Sequence, residues 1–309
     1  MIFLRRAIVM FASVLVFLVV AEGLLRAYGS LHQSYLVEMW RYGRNHKEFT
    51  GDDRSHAHMP NTSSRVMGQE VRIDRWGYRG ADREVSTSGR RILALGDSIT
   101  FGFGVSEQEA YPALLEKLVP GTQVWNAGVG NYNTAQELAS LAQHLPRLKP
   151  TEVLLGFFIN DLEPTQAGSR FLQGSLLFGI ASQVWWSYGS RDRRNFLEYY
   201  SHWAEAGFAD WTKTVIEGKR LLDREKIPLR VLLIPEFHSL GTDGLKGQYG
   251  KVRGALEEKG IPVCDGAKFF PTAKDGGRSY WAARDDSHPN ADAHRILAQA
   301  LVSCFYGAQ

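Results

Sequence analysis

The 309-residue chain is poor in cysteine, with Cys264 and Cys304 standing alone. Two thiols so far apart in sequence do not make a zinc site. They leave two readings: a disulfide if the chain folds outside the cytoplasm, or two buried free thiols. Blocks of like charge are missing, and the net charge of +3 is spread along the chain. No nucleic-acid partner is expected from that pattern. Low-complexity tracts are absent as well, which leaves an ordinary globular composition and enough residues for a large core. No dense His/Asp cluster of the kind that holds a metal occurs, and no cofactor is expected. His56 and His58 lie near Asp52 and Asp53, and a solvated loop is favoured there over a metal site. Long apolar runs are limited to one.

That run follows a short basic start, Met1 to Arg6. From Ala7 to Ala21 every residue except Ser13 is apolar. Continued to Tyr28, the segment is just long enough to span a bilayer. Arg5 and Arg6 keep the N-terminus cytoplasmic, which places the remainder outside. A cleaved signal peptide is the rival reading, with Val19-Val20-Ala21 as its cleavage site, but the run is long for such a segment. The expected organisation is an anchor over 1–28, an extracytoplasmic arm and linker over 29–89, and a domain over 90–309. Within the arm, Leu36 to Tyr42 reads as a short amphipathic turn. Val71 to Arg79 alternates like a strand, and Ser86 to Gly89 reads as linker.

From Arg90 onward strand-like and helical patterns alternate, as in a parallel sheet with helices on both faces. The expected strands are Ile92–Leu95, Gln123–Asn126, Glu152–Phe158, Leu229–Ile234 and Pro262–Cys264. The expected helices are Ala110–Leu118, Thr134–Leu145, Phe208–Glu225, Leu245–Lys259 and Ala291–Cys304. An insertion over 163–205 interrupts the alternation and is rich in aromatics. Trp185, Trp186 and Tyr188 in it are candidates for stacking on a substrate. The competing readings are core of an extra helical pair and contact with a membrane interface.

Ser98 ends an apolar strand pattern in Leu95-Gly96-Asp97-Ser98, the place where open α/β sheets put their ligands. A serine hydroxyl needs a base within hydrogen-bond reach, a carboxylate to orient that base, and donors aimed at a developing oxyanion. Asp285-Asp286-Ser287-His288-Pro289-Asn290 offers a histidine with acids beside it, ahead of the last helix. Asn160-Asp161 ends the third strand pattern. Asn126-Ala127-Gly128-Val129-Gly130-Asn131 follows the second.

Taken in order, these four stretches resemble the blocks of the SGNH (GDSL) hydrolase superfamily across Arg90 to Gln309. The resemblance implies a flavodoxin-like three-layer α/β/α sandwich with a five-stranded parallel sheet of order 2-1-3-4-5. It implies Ser98 as nucleophile, His288 as base and Asp285 as the orienting acid, with Asp286 the fallback. The oxyanion donors would be the Ser98 N–H, the Asn160 side chain and a backbone N–H at Gly130 or Asn131. Relatives carry glycine where Asn131 stands, a departure that asparagine's tolerance of positive φ can absorb. Asp97 is expected to shape the turn.

The activity implied is attack by Ser98, an acyl-enzyme, and release to water. The expected substrate is a short acyl ester, O-acetyl first, on a cell-envelope or exported polysaccharide. Release to a sugar hydroxyl would instead make the chain an O-acyltransferase beside a multi-spanning membrane acyl-donor protein. Two further classes are weighed: a silent glycan-binding or scaffold module of the same fold, and a metal-dependent phosphatase using Asp97, Asp161 and His288. The second is disfavoured because those ligands are too few.

Overall fold

A computed structural model describes residues 2–165, 174–189, 196–271 and 275–307. The chain opens with helix α1 (Ile2–Leu31), the one helix among the described residues long and apolar enough to cross a membrane. Helix α2 (Tyr35–His46) follows. It extends well beyond the short turn expected, because Val37, Met39, Tyr42 and His46 all find a buried surface. Tertiary burial thereby stabilises a helix whose mixed composition alone does not. Two antiparallel pairs come next: β1 (Lys47–Phe49) with β2 (His56–His58), and β3 (Thr62–Val66) with β4 (Gln69–Ile73). His56 and His58 are therefore buried strand residues rather than parts of a solvated loop. Burial pushes both imidazoles down to about 3, so both are neutral near pH 7.

Strand β5 (Arg90–Gly96) leads into the one-turn helix α3 (Ser98–Phe101). Then come α4 (Tyr111–Leu118), β6 (Thr122–Asn126), α5 (Thr134–Ala139), α6 (Leu141–Leu148) and β7 (Glu152–Phe157). A single helix was expected over Thr134–Leu145. The chain instead breaks at Ser140, whose hydroxyl donates to the Glu137 carbonyl at 2.6 Å, and restarts. Helices α7 (Leu176–Gly189) and α8 (Phe196–Ala206) belong to the aromatic insertion. After them run α9 (Phe208–Arg224), β8 (Leu229–Leu233), α10 (Lys246–Glu258) and β9 (Val263–Asp265). The chain finishes with the pair β10 (Trp281–Ala283) and β11 (Asp286–Pro289), helix α11 (Ala291–Leu301) and a wide π turn over Val302–Tyr306.

Five strands make one parallel sheet in the order β6-β5-β7-β8-β9, which is the 2-1-3-4-5 order expected. Ile92 to Gly96 and all of β7 are buried, as continuous apolar strands must be when helices cover both faces. One apolar core lies on each face of the sheet, and a smaller third one joins α2, β3 and β4 to Phe101 and Phe103. Cys264 and Cys304 form a disulfide, with Cα atoms 5.7 Å apart. It ties β9 to the turn that ends the chain.

The arm is fastened to the domain through Trp76 to Arg79. Tyr78 is buried and its hydroxyl meets His144 Nδ1 at 2.7 Å. Arg79 is buried too, and its guanidinium donates to the carbonyls of Phe101 at 2.6 Å, Gly102 at 2.5 Å and Val105 at 2.7 Å. Those three carbonyls close the loop that follows Ser98. Losing the guanidinium strands several buried acceptors, each costing about 1–3 kcal/mol. Arg79→Ala should therefore lower the unfolding free energy by about 3 kcal/mol or more, read by urea denaturation.

Candidate active site

Ser98 and Asn160 follow the carboxyl ends of β5 and β7, Gly130 and Asn131 follow that of β6, and Asp286 and His288 lie on β11. The turn from β5 into α3 is tight: a Cβ on Gly96 would lie 1.9 Å from Thr100 Oγ1. Asp97 caps α3 by accepting the Ile99 N–H at 2.8 Å, and its second oxygen accepts the Asn160 Nδ2–H at 3.0 Å. Burial raises the Asp97 carboxyl above its ordinary value. Asp97 thus shapes the turn, as its position suggested.

Ser98 Oγ lies 2.8 Å from His288 Nε2. His288 Nδ1 lies 2.6 Å from Asp286 Oδ1, and the same oxygen accepts the His288 backbone N–H at 3.0 Å. The carboxylate beside the imidazole is therefore Asp286, and the expectation of Asp285 is corrected. The reason is strand geometry. Asp286 and His288 lie two apart in β11 and share a face, whereas neighbouring side chains point to opposite faces. Asp286 is buried, while Asp285 is exposed and accepts the Tyr35 backbone N–H at 3.1 Å.

The two alternatives at the second oxyanion position also separate. The Gly130 N–H donates to Tyr42 Oη at 2.9 Å, which corrects the expectation that it might serve as a donor to substrate. Asn131 has φ +64°, the left-handed conformation that its replacement of glycine required. Its backbone N–H, like that of Ser98, has no acceptor among the described residues. Asn160 lies beside the same cavity, with one amide hydrogen given to Asp97 and the other not so engaged.

Ser98, Asn131, Asn160 and His288 all line one cavity of about 420 Å³. Tyr35 and Met39 from α2 close part of its wall, and Tyr200 from α8 closes another. The Tyr35 and His288 rings are 5.7 Å apart. Burial, with Asp286 and Asp97 nearby, pushes the Tyr35 hydroxyl well up, so it stays protonated. Trp185, Trp186 and Tyr188 lie in α7, and their side chains fall outside the described residues. Of the ligands a phosphatase would need, Asp97 caps α3 and Asp161 accepts the Phe158 N–H at 3.0 Å. Among the described residues no three His, Cys, Asp or Glu side chains converge as a metal site requires.

Residues 94–296 match the GDSL-like lipase/acylhydrolase family. The chain belongs to that family. Similar solved structures include a member of the lipolytic protein G-D-S-L family from Veillonella parvula. It is 16% identical, with 71% of this chain and 100% of that chain covered, at a TM-score of 0.47. An acetyl xylan esterase, AlAXEase, is 15% identical over 70% of this chain and 99% of its own, with TM-score 0.48. A catalytic mutant of Axe2, an acetylxylan esterase from Geobacillus stearothermophilus, is 20% identical over 73% and 98%, with TM-score 0.45. No curated protein matches the chain.

The GDSL-like domain also carries a second acid-x-His pair that sequence reasoning passed over. Glu236 Oε1 lies 2.6 Å from His238 Nδ1 and accepts the His238 backbone N–H at 2.6 Å. His238 lines the same cavity. Asp286→Asn should lower kcat for p-nitrophenyl acetate by about 10²- to 10⁴-fold, because the imidazole loses its tautomer and its counter-charge. Asp285→Asn should stay within about three-fold of wild type in the same assay.

Proposed function

We propose that this chain is a serine esterase held at a membrane by α1, with its GDSL-like domain outside the cytoplasm. Ser98 is the nucleophile, His288 the general base and Asp286 the carboxylate that orients it. The observation that carries this reading is the unbroken hydrogen-bonded line from Asp286 through His288 to Ser98 at the cavity. Ser98 attacks the ester carbonyl while His288 Nε2 takes its proton. The oxyanion is held by the N–H groups of Ser98 and Asn131 and by Asn160 Nδ2. His288 then protonates the departing alkoxide, and water releases the acyl group from Ser98.

The substrate is a short acyl ester on a cell-envelope or exported polysaccharide. A cavity of about 420 Å³ with both polar and aromatic walls suits a sugar ring bearing a small acyl group. The Cys264–Cys304 disulfide supports a location where thiols oxidise. The length and apolarity of α1 and the early Arg5 and Arg6 support an anchor with that orientation.

The test uses the full chain in detergent micelles, with a fluorophosphonate probe mapped by mass spectrometry and p-nitrophenyl acetate turnover in parallel. Labelling confined to Ser98, and turnover lost in Ser98→Ala while the melting temperature holds, is the expected result. Unchanged turnover in Ser98→Ala would sink the assignment. Adding an acceptor oligosaccharide divides the products: free acetate is expected, and acetylated glycan would move the chain to the transferases.

A further inference from the structure

The peptide between Gly130 and Asn131 is gripped from outside the family domain. Lys47 Nζ, on β1 of the arm, donates to the Gly130 carbonyl and, at 3.0 Å, to Asn131 Oδ1. His56 Nε2, on β2, meets the same carbonyl at 3.1 Å. Tyr42 Oη, on α2, accepts the Gly130 N–H at 2.9 Å and meets His58 Nε2 at 2.6 Å. A Cβ on Gly130 would lie 2.6 Å from the Tyr42 ring, so only glycine allows that approach. The Lys47 ammonium also sits over the Tyr42 ring, 4.8 Å from its centre. All of these arm groups are buried.

A trans peptide points its C=O and N–H in opposite directions. Drawing the Gly130 carbonyl toward Lys47 and His56 turns the Asn131 N–H the other way, to the cavity side where Asn131 stands. An ammonium on the carbonyl also polarises the peptide, which strengthens the N–H as a donor. The same ammonium holds Asn131 Oδ1, so the side-chain oxygen and the Gly130 carbonyl share one donor.

We propose that Lys47 and His56 are positioning residues for ester cleavage, holding the 130–131 peptide so that the Asn131 N–H binds the oxyanion. This rests on the serine esterase reading above. Burying an ammonium without a carboxylate partner is costly, and burial lowers Lys47 to about 7. The titratable groups facing it are Tyr42, His56, His58, His46 and Tyr132, none of them an acid with its charge at neutral pH. A lysine kept there for packing alone would be better replaced by an apolar side chain of similar length.

The test compares Lys47→Met, His56→Leu and His56→Gln with wild type as full chains in detergent, by kcat, KM and melting temperature. Losing an oxyanion donor costs about 10²- to 10³-fold in kcat, and misaiming one costs less. For Lys47→Met we expect kcat down by about 10- to 100-fold, KM within about three-fold, and a melting temperature equal to or above wild type. The sign follows from the shift. The folded-state pKa lies below the ordinary 10.5, so the gain in stability is full below about pH 7 and fades as pH rises toward 10.5. In wild type, kcat should decline as Lys47 discharges above about pH 7, and Lys47→Met should lack that decline. His56→Leu should lose activity and His56→Gln, which keeps a donor, should retain most of it. Wild-type kcat in both Lys47→Met and His56→Leu, with turnover still abolished by Ser98→Ala, overturns this inference alone. A loss of kcat that only follows the loss of folded protein does the same. Turnover surviving Ser98→Ala overturns the esterase reading and this inference with it.

Discussion

The His288 imidazole is held at both nitrogens at once, and much of the fold exists to keep it there. Its partners come from opposite ends of the domain: Ser98 opens the one-turn helix after the second strand of the sheet order, and Asp286 opens the strand that also carries the histidine. Such a line works only if the distance between β5 and β11 is fixed to a few tenths of an ångström. Helix α11 supplies that rigidity. Its buried face of Ala293, Leu297, Ala298 and Leu301 packs into the core shared with α4, and the His294 ring accepts the Tyr111 N–H at 3.2 Å. The strand bearing His288 is therefore tied, through α11, to α4 in the core beneath Ser98.

The same constraint explains the arm. A family domain of this kind ends its sheet in loops, and loops carry binding residues on a rigid scaffold. Here the scaffold for two of those loops comes from residues before the domain. Arg79 holds the carbonyls after Ser98, Lys47 and His56 hold the peptide at 130–131, and Tyr42 holds the one before it. Tyr35 and Met39 supply wall. The arm thus contributes walls and hydrogen bonds to the cavity that holds Ser98.

How much of this was legible in the sequence follows from what each signal depends on. Continuous apolar runs and the helical patterns between them depend on local chemistry, so all five sheet strands were readable to within a residue or two, while their order came only with the family resemblance. Ser98, His288 and Asn160 stood out because the family resemblance rests on the short motifs that contain them, and the fold brings all three to one cavity. The choice between Asp285 and Asp286 was not, since it turns on whether the stretch before His288 is strand or loop. Once β11 pairs with β10, alternation decides it. The arm was least legible. Lys47, His56 and Tyr42 are polar residues in a polar stretch, and their meaning comes from what they meet across about eighty residues of chain. Gly130 and Asn131 looked like weak matches to a family pattern until those partners were in view.

The disulfide also bears on how firmly Asp286 and His288 are held. It closes a loop from Cys264 to Cys304, and Asp286 and His288 lie inside that loop. A cross-link of this span removes unfolded-chain entropy equivalent to about 4 kcal/mol. Where thiols stay reduced, Asp286 and His288 are carried on a C-terminal segment without that tether, and their place beside Ser98 rests on the packing of α11 against the core.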